Sequence, residues 1–183
     1  MATVELNPLR DRAAAIRGLV LDVDGVLSDG RLHYGPDGEF LKSFHARDGL
    51  GIVLLRETGM RLAILSGRQS PVVQRRADEL GFDPCLLGRS EKLGALSEIA
   101  QAWRLDLRQL AAMGDDWVDL PMLDAVGLSA APADAAVELR RRVDILTKAK
   151  GGRGAVREFC DFLLRCNPAW PKIATRFGLT EEI

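Results

Sequence analysis

Cysteine is scarce in this chain. Its three cysteines, Cys85, Cys160 and Cys166, are odd in number and have no CxxC spacing, which argues against a disulfide framework or a zinc site. They read as free thiols in a reducing compartment. Charge of one sign is not in excess either. Twenty-five Lys plus Arg face twenty-six Asp plus Glu for a net charge of -1, and a non-specific nucleic-acid binder would need a basic face. The arginine runs Arg75–Arg76 and Arg140–Arg142 fall in helix-like stretches and read as solvated helix faces. No apolar run approaches the roughly 20 residues that span a bilayer. The opening MATVELNPLRDRAAAIRG is charged throughout and lacks the apolar core of a signal peptide. Internal repeats and low-complexity tracts are also missing. The expectation is a soluble, cytoplasmic protein with no membrane or nucleic-acid partner.

What is there suits one globular domain. At 183 residues and 47% hydrophobic, the chain can bury a full core. Short apolar runs at 19–23, 62–65, 85–87, 110–113 and 127–130 read as buried strands. Between them, 49–58, 71–80, 91–103, 118–126 and 133–141 carry apolar residues at helical spacing. Such alternation predicts an α/β fold, a Rossmann-like parallel sheet with helices on both faces in three layers. Ligands in such folds bind beyond the carboxyl ends of the strands, near the switch in strand order. One segment departs from the pattern. GRLHYGPDGEFLKSF, residues 30–44, has a Gly-Pro-Asp-Gly turn between two alternating stretches and reads as a β-hairpin. A lone hairpin is marginal in water, so it is expected to pack on something, another subunit being one candidate. The expected organisation is a leader helix over 1–17, a domain over 18–166, and a partly mobile tail over 167–183.

Four short constellations carry candidate chemistry. Asp22-Val23-Asp24-Gly25 follows a strand, and strand residues two apart emerge on one side. Two carboxylates there suit a hard cation, and one can attack phosphorus; the plain alternative is a polar turn. Ser66-Gly67-Arg68 also follows a strand, where a hydroxyl and a glycine amide can cradle phosphate. Ser66 or Ser70 could equally be a helix cap. Lys92, near the start of a helix, reads alone as a surface lysine. Gly114-Asp115-Asp116-Trp117-Val118-Asp119 gathers three acids at a strand end, which repel unless a cation offsets them; a polar loop with an Asp cap is the alternative.

In combination the order is telling: paired acids, hydroxyl-glycine, lysine, acid cluster. It resembles the four motifs of the haloacid-dehalogenase-like phosphatase superfamily. The resemblance implies Asp22 as nucleophile, Asp24 as general acid and base, and Ser66 and Lys92 neutralising the phosphoryl oxygens, with Gly67 beside them. It also implies Mg²⁺ held by the Asp22 carboxylate, the Asp24 backbone carbonyl and Asp115. Asp119 would orient Lys92 or a metal-bound water, and Asp116 is a further supporting acid. The interval from Asp24 to Ser66 has room for little beyond one hairpin and one helix, and that from Ser66 to Lys92 for one helix and one strand. No cap domain fits in either place, so water can reach the site, which favours hydrolysis over a mutase.

The stretches DVDGVLSDGRLHYGPDGEFLKSFHARDGLGI, LSGRQSPVVQRRADELG, MGDDWVDLPML and GGRGAVREFCDFLL resemble a narrower family, the 3-deoxy-D-manno-octulosonate (KDO) 8-phosphate phosphatases of lipopolysaccharide-precursor synthesis. The resemblance implies a homotetramer assembled through its hairpins, with neighbouring subunits capping each site. His45, Arg47, Asp48, Gly49, Arg68 and Arg76 would line the sugar site, and Arg153 would reach it from an adjacent chain. Arginine forks suit the carboxylate of a sugar acid, although Arg76 and Arg153 also read as surface residues. Phosphatases for nine-carbon, sialic-acid-type 9-phosphates tend to carry an acid after the motif-two glycine and in the GG-x-G turn, where this chain has Arg68 and Arg153. A catalytically silent oligomeric binding module and a general metabolite phosphatase are the alternatives from outside that pair.

Overall fold

The computed structural model describes residues 8–179, so the first seven residues of the expected leader and the last four of the tail lie outside the described range. Eight strands form: β1 (Gly18–Leu21), β2 (His33–Gly35), β3 (Gly38–Leu41), β4 (Arg61–Leu65), β5 (Cys85–Leu86), β6 (Leu110–Met113), β7 (Leu128–Ala131) and β8 (Ile145–Leu146). The α-helices are α1 (Pro8–Ala14), α2 (Ala46–Glu57), α3 (Pro71–Leu80), α4 (Lys92–Trp103), α5 (Leu120–Ala125), α6 (Val137–Arg140), α7 (Ala155–Arg165) and α8 (Trp170–Phe177).

Six strands make one parallel sheet in the order β5-β4-β1-β6-β7-β8, while β2 and β3 pair as a separate antiparallel hairpin. Strands β1, β6 and β7 are buried along their whole length, as expected of a sheet covered on both faces. One apolar layer joins Leu19, Leu21, Ile64 and Met113 to Leu55, Phe159, Leu163 and Ile173. The other joins Val20, Leu65 and Ala112 to Leu96, Ile99, Trp103 and Leu123. These are the three layers. Strand β1 lies between β4 and β6, and its Leu21 is level with Ile64 on one side and Met113 on the other. The residues just past Leu21, Leu65 and Met113 therefore leave the sheet along one edge, at the point where strand order reverses.

Local signals set several boundaries. Ser70 caps α3 by accepting the Val73 N–H, Pro71 opens the helix, and Gly81 closes it in the left-handed conformation. The Glu91 carboxylate caps α4 by accepting from the amides of Leu93 and Gly94. Elsewhere tertiary bonds override the pattern. The helix expected over 133–141 shrinks to α6 because Ala133 N–H is claimed by Ala149 O and Ala136 N–H by Asp115 O. The helix expected over 118–126 starts as a 3₁₀ turn, Trp117–Asp119, before α5. Among the described residues of the expected tail, a helix packs on the domain. Helix α8 buries Trp170, Ile173 and Ala174 in the core.

Candidate active site

The site begins where β1 ends. Asp22 is still extended, and its N–H donates to Met113 O at 3.0 Å, extending the β1–β6 ladder by one residue. The chain then turns through Asp24 to Gly25, whose φ is +89°. A side chain at Gly25 would be strained, and its Cβ would stand 2.0 Å from Asp115 Oδ2. The glycine lets the first acidic pair and the acid cluster after β6 close on each other.

Lys92 occupies the centre. Although it opens a helix, it is only 3% exposed. Its Nζ donates to Asp22 Oδ1 at 2.6 Å and to Leu65 O at 2.6 Å, and lies 3.2 Å from Asp119 Oδ1. Asp119 is fully buried, and its other oxygen accepts the amides of Asp115 (3.0 Å) and Asp116 (3.3 Å). Asp119 thus fixes both the lysine and the acid loop. Ser66 is buried at the end of β4, where its Oγ accepts the Arg68 N–H at 3.3 Å. Asp22, Asp24, Ser66, Gly67, Arg68, Ser90, Lys92, Asp115, Asp116 and Val118 line one open pocket.

The charge in this pocket is unbalanced. Asp22, Asp115 and Asp119 each bring a carboxylate oxygen within 4.8 Å of the others, and at an effective dielectric near 20 each such pair repels by about 3–4 kcal/mol. One ammonium cannot offset all three repulsions. Burial, then Asp22, Asp119 and Asp116, push Asp115 up to about 8. Burial and Asp119 also raise Asp22 against the pull of Lys92. Burial alone would pull the Lys92 ammonium down, but Asp22 and Asp119 outweigh it and hold it above its ordinary value. An all-oxygen, anion-rich pocket fits a hard dication such as Mg²⁺. Both Asp119 oxygens are engaged, so Asp22 and Asp115 are the carboxylates free to hold it.

A pH dependence follows for the metal-free protein. The folded Asp115 holds its proton up to about 8 and the unfolded one only to about 3.8, so the native state binds more protons between those values. Stability should fall as pH rises across that window and level off above it. Thermal unfolding in chelator should show a Tm declining from about pH 5 to pH 8, with the Mg²⁺-induced rise in Tm larger at pH 8 than at pH 6. A Tm indifferent to pH and Mg²⁺ would contradict the charge imbalance.

The remaining residues singled out in the sequence lie away from the pocket lining. Asp48 is buried and accepts the Arg157 N–H at 2.8 Å, tying α2 to α7. His45 Nδ1 lies 4.0 Å from Asp48 Oδ2. The absence of a side chain at Gly49 makes room for the Arg76 guanidinium, which packs over Phe44 and pairs with Glu79 at 3.1 Å. Arg47 is exposed. Arg153 is exposed and lies 3.7 Å from Asp29, in a Gly-rich turn that packs on the Gly25–Asp29 backbone of its own chain. Sequence reasoning missed Lys42, Glu39 and Tyr34 of the hairpin. Lys42 Nζ pairs with Asp24 Oδ1 at 2.5 Å and with Glu39 at 3.0 Å, and Tyr34 hydrogen-bonds Arg68.

The class defined by this sheet order and by acids and a lysine at the β1 switch point is the haloacid dehalogenase-like hydrolases, whose family profile matches residues 86–159. The chain is 43% identical over 175 residues to the 3-deoxy-D-manno-octulosonate 8-phosphate phosphatase KdsC of Haemophilus influenzae, covering 96% of this chain and 97% of that protein. It belongs to the 3-deoxy-D-manno-octulosonate 8-phosphate phosphatase family. Solved structures agree. The enzyme of that name from Moraxella catarrhalis, in complex with magnesium, phosphate and KDO, superposes with a TM-score of 0.90 at 35% identity, over 94% of this chain and 99% of that one. The cobalt-bound Haemophilus influenzae enzyme gives 0.87 at 41% identity, over 91% and 98%.

Proposed function

We propose that this chain hydrolyses 3-deoxy-D-manno-octulosonate 8-phosphate, with Mg²⁺, through an aspartyl-phosphate on Asp22. The observation that carries the reading is the buried Lys92, held between Asp22 and Asp119 where three adjacent strands end. Asp22 attacks phosphorus in line while the sugar alkoxide leaves. Asp24 donates a proton to that oxygen and then takes one from the water that cleaves the acyl phosphate. Lys92 and Ser66, with the Gly67 amide, neutralise the phosphoryl oxygens as charge moves between them. Asp22, the Asp24 carbonyl and Asp115 would hold Mg²⁺, which when bound supplies positive charge against both the acids and the phosphoryl group. Asp116 and Asp119 support the loop and the lysine.

The sugar acid is recognised by arginine. Arg68 lies at the pocket mouth with 41% of its side chain exposed, 3.7 Å from Asp24. His45, Arg47, Asp48, Gly49 and Arg76, with Arg153 of an adjacent subunit, complete the sugar site in a homotetramer whose neighbours cover the open pocket. The hairpin supports assembly, because it leaves Phe40 (64%), Tyr34 (59%) and Leu41 (45%) exposed. The product is the free octulosonate, a lipopolysaccharide precursor, and the reaction is assigned to the cytoplasm.

A panel of sugar phosphates assayed with and without Mg²⁺ tests this reading. One dominant, Mg²⁺-dependent release of phosphate from the eight-carbon ulosonate is expected. Preference for a nine-carbon ulosonate, a broad profile or no release would each overturn it. Arg68→Ala should raise KM for the ulosonate phosphate about 10-fold or more, the scale of losing one charged hydrogen bond, while hydrolysis of 4-nitrophenyl phosphate changes little. Equal losses on both would assign Arg68 to the phosphoryl group. Phe40→Asp, which puts a charge on the exposed hairpin face, should give smaller species in sedimentation. An unchanged tetramer would remove the hairpin from the assembly.

A further inference from the structure

The hairpin also points inward, at the proposed general acid. Tyr34, Phe40 and Leu41 stay exposed while the side chains of Lys42 and Glu39 are covered, the reverse of what their polarity would suggest. Lys42 is 5% exposed and its side chain is fully covered. The Lys42 ammonium sits between Asp24 Oδ1 at 2.5 Å and Glu39 Oε2 at 3.0 Å. Glu39 in turn accepts the Ser70 hydroxyl at 2.5 Å, and Ser70 is the cap of α3, just past the Ser66–Arg68 turn. Asp24 Oδ1 takes a second hydrogen bond from Ser28 Oγ at 3.3 Å, whereas Oδ2 is buried with no hydrogen-bond partner and has Arg68 Nε 3.7 Å away. The two oxygens of one carboxylate are therefore treated differently. One is pinned by a buried cation, and the other makes no hydrogen bond and lies beside Arg68.

We propose that Lys42, itself held by Glu39, is the positioning residue for Asp24, fixing its carboxylate through Oδ1 for proton exchange with the leaving oxygen and then with water. This rests on the phosphatase reading and on Asp24 as its acid. A lysine that served only packing would not need a second buried anion behind it. One that bound substrate would not have its side chain sealed from the pocket. The arrangement also makes the acid depend on the hairpin, so one element both exposes apolar side chains and supports the reaction.

A double-mutant cycle tests the proposal. Lys42→Met should lower kcat on an alkyl phosphate about 100-fold, the lower range for losing general acid–base catalysis, with KM within about 3-fold of wild type. On 4-nitrophenyl phosphate, whose leaving group needs no proton, the burst of nitrophenol should fall less than about 3-fold. In an Asp24→Asn background, adding Lys42→Met should cost less than about 3-fold, because a residue acting through Asp24 has nothing left to act on. Additive losses, a rise in KM at constant kcat, or equal loss in the nitrophenol burst would each overturn the proposal. Should Lys42→Met fail to fold, Glu39→Gln carries the same cycle with a smaller expected loss of about 10-fold, the scale of one charged hydrogen bond. Wild-type protein silent on every ester would refute the phosphatase reading itself. Active wild type with an additive cycle would refute only the role of Lys42.

Discussion

Asp22→Asn is expected to reduce kcat by at least about 10⁴-fold while leaving the protein folded and as stable as before. The chemical loss is large because an amide oxygen cannot carry the phosphoryl group, and binding by Lys92, Ser66 and the metal ion is no substitute for a nucleophile. The small effect on stability has a separate cause. Asp22 is one of three carboxylates within 4.8 Å of one another, so making it neutral relieves its repulsion with Asp119 and, above about pH 8, with Asp115 as well. Lys92 exchanges a charged acceptor at 2.6 Å for a neutral amide oxygen and keeps Leu65 O at 2.6 Å and Asp119 at 3.2 Å. Metal-free Asp22→Asn should melt within a few degrees of wild type or slightly above it. Steady-state kinetics and calorimetry of one preparation check both halves. Appreciable turnover would remove Asp22 as nucleophile, and gross unfolding would show that the acid cluster is not overcharged.

Lys92→Met should fail in both respects. Taking away the only ammonium that touches Asp22 and Asp119 among the described residues leaves their charges uncompensated, and breaking a buried ion pair from one side costs about 3–5 kcal/mol. The deficit should grow with pH. At low pH a proton can take the place of the lost cation, since burial already favours the neutral form of Asp22 and Asp115. Mg²⁺ should restore part of the stability, because it neutralises the same carboxylates. It should not restore turnover, which is expected to stay about 10²–10³-fold down for want of a donor to the transferring oxygens. A variant as stable as wild type at pH 8 in chelator would mean that the cluster is not held by Lys92.

How much of this the sequence discloses depends on the scale of the interaction. The sheet was legible because its signals are local: β6 and α3 form over the expected 110–113 and 71–80. The convergence of Asp22, Ser66, Lys92 and Asp115 was legible because each follows a strand or opens a helix, so the fold itself brings them to one edge. Strand β8, two residues long, is too short for periodicity to register. Helix α6 lost its first turn to hydrogen bonds from distant residues. The hairpin was legible as a hairpin but not in its facing. Alternation in GEFLKSF gives no hint that Phe40 turns outward while Lys42 turns in, because that depends on partners 18 and 31 residues away for Lys42 and Glu39. Asp48 shows the same limit, since its partner, the Arg157 amide, lies 109 residues on.

The central claim is that Asp22 carries the phosphoryl group, and trapping tests it most directly. Enzyme mixed with the octulosonate phosphate and Mg²⁺, quenched in acid within one turnover and reduced with borohydride, should yield homoserine at position 22 by peptide mass spectrometry, because only an acyl phosphate is reduced in this way. Homoserine should be absent without substrate. Reduction at another acid, or an unmodified Asp22 in enzyme that is releasing phosphate, would contradict the account.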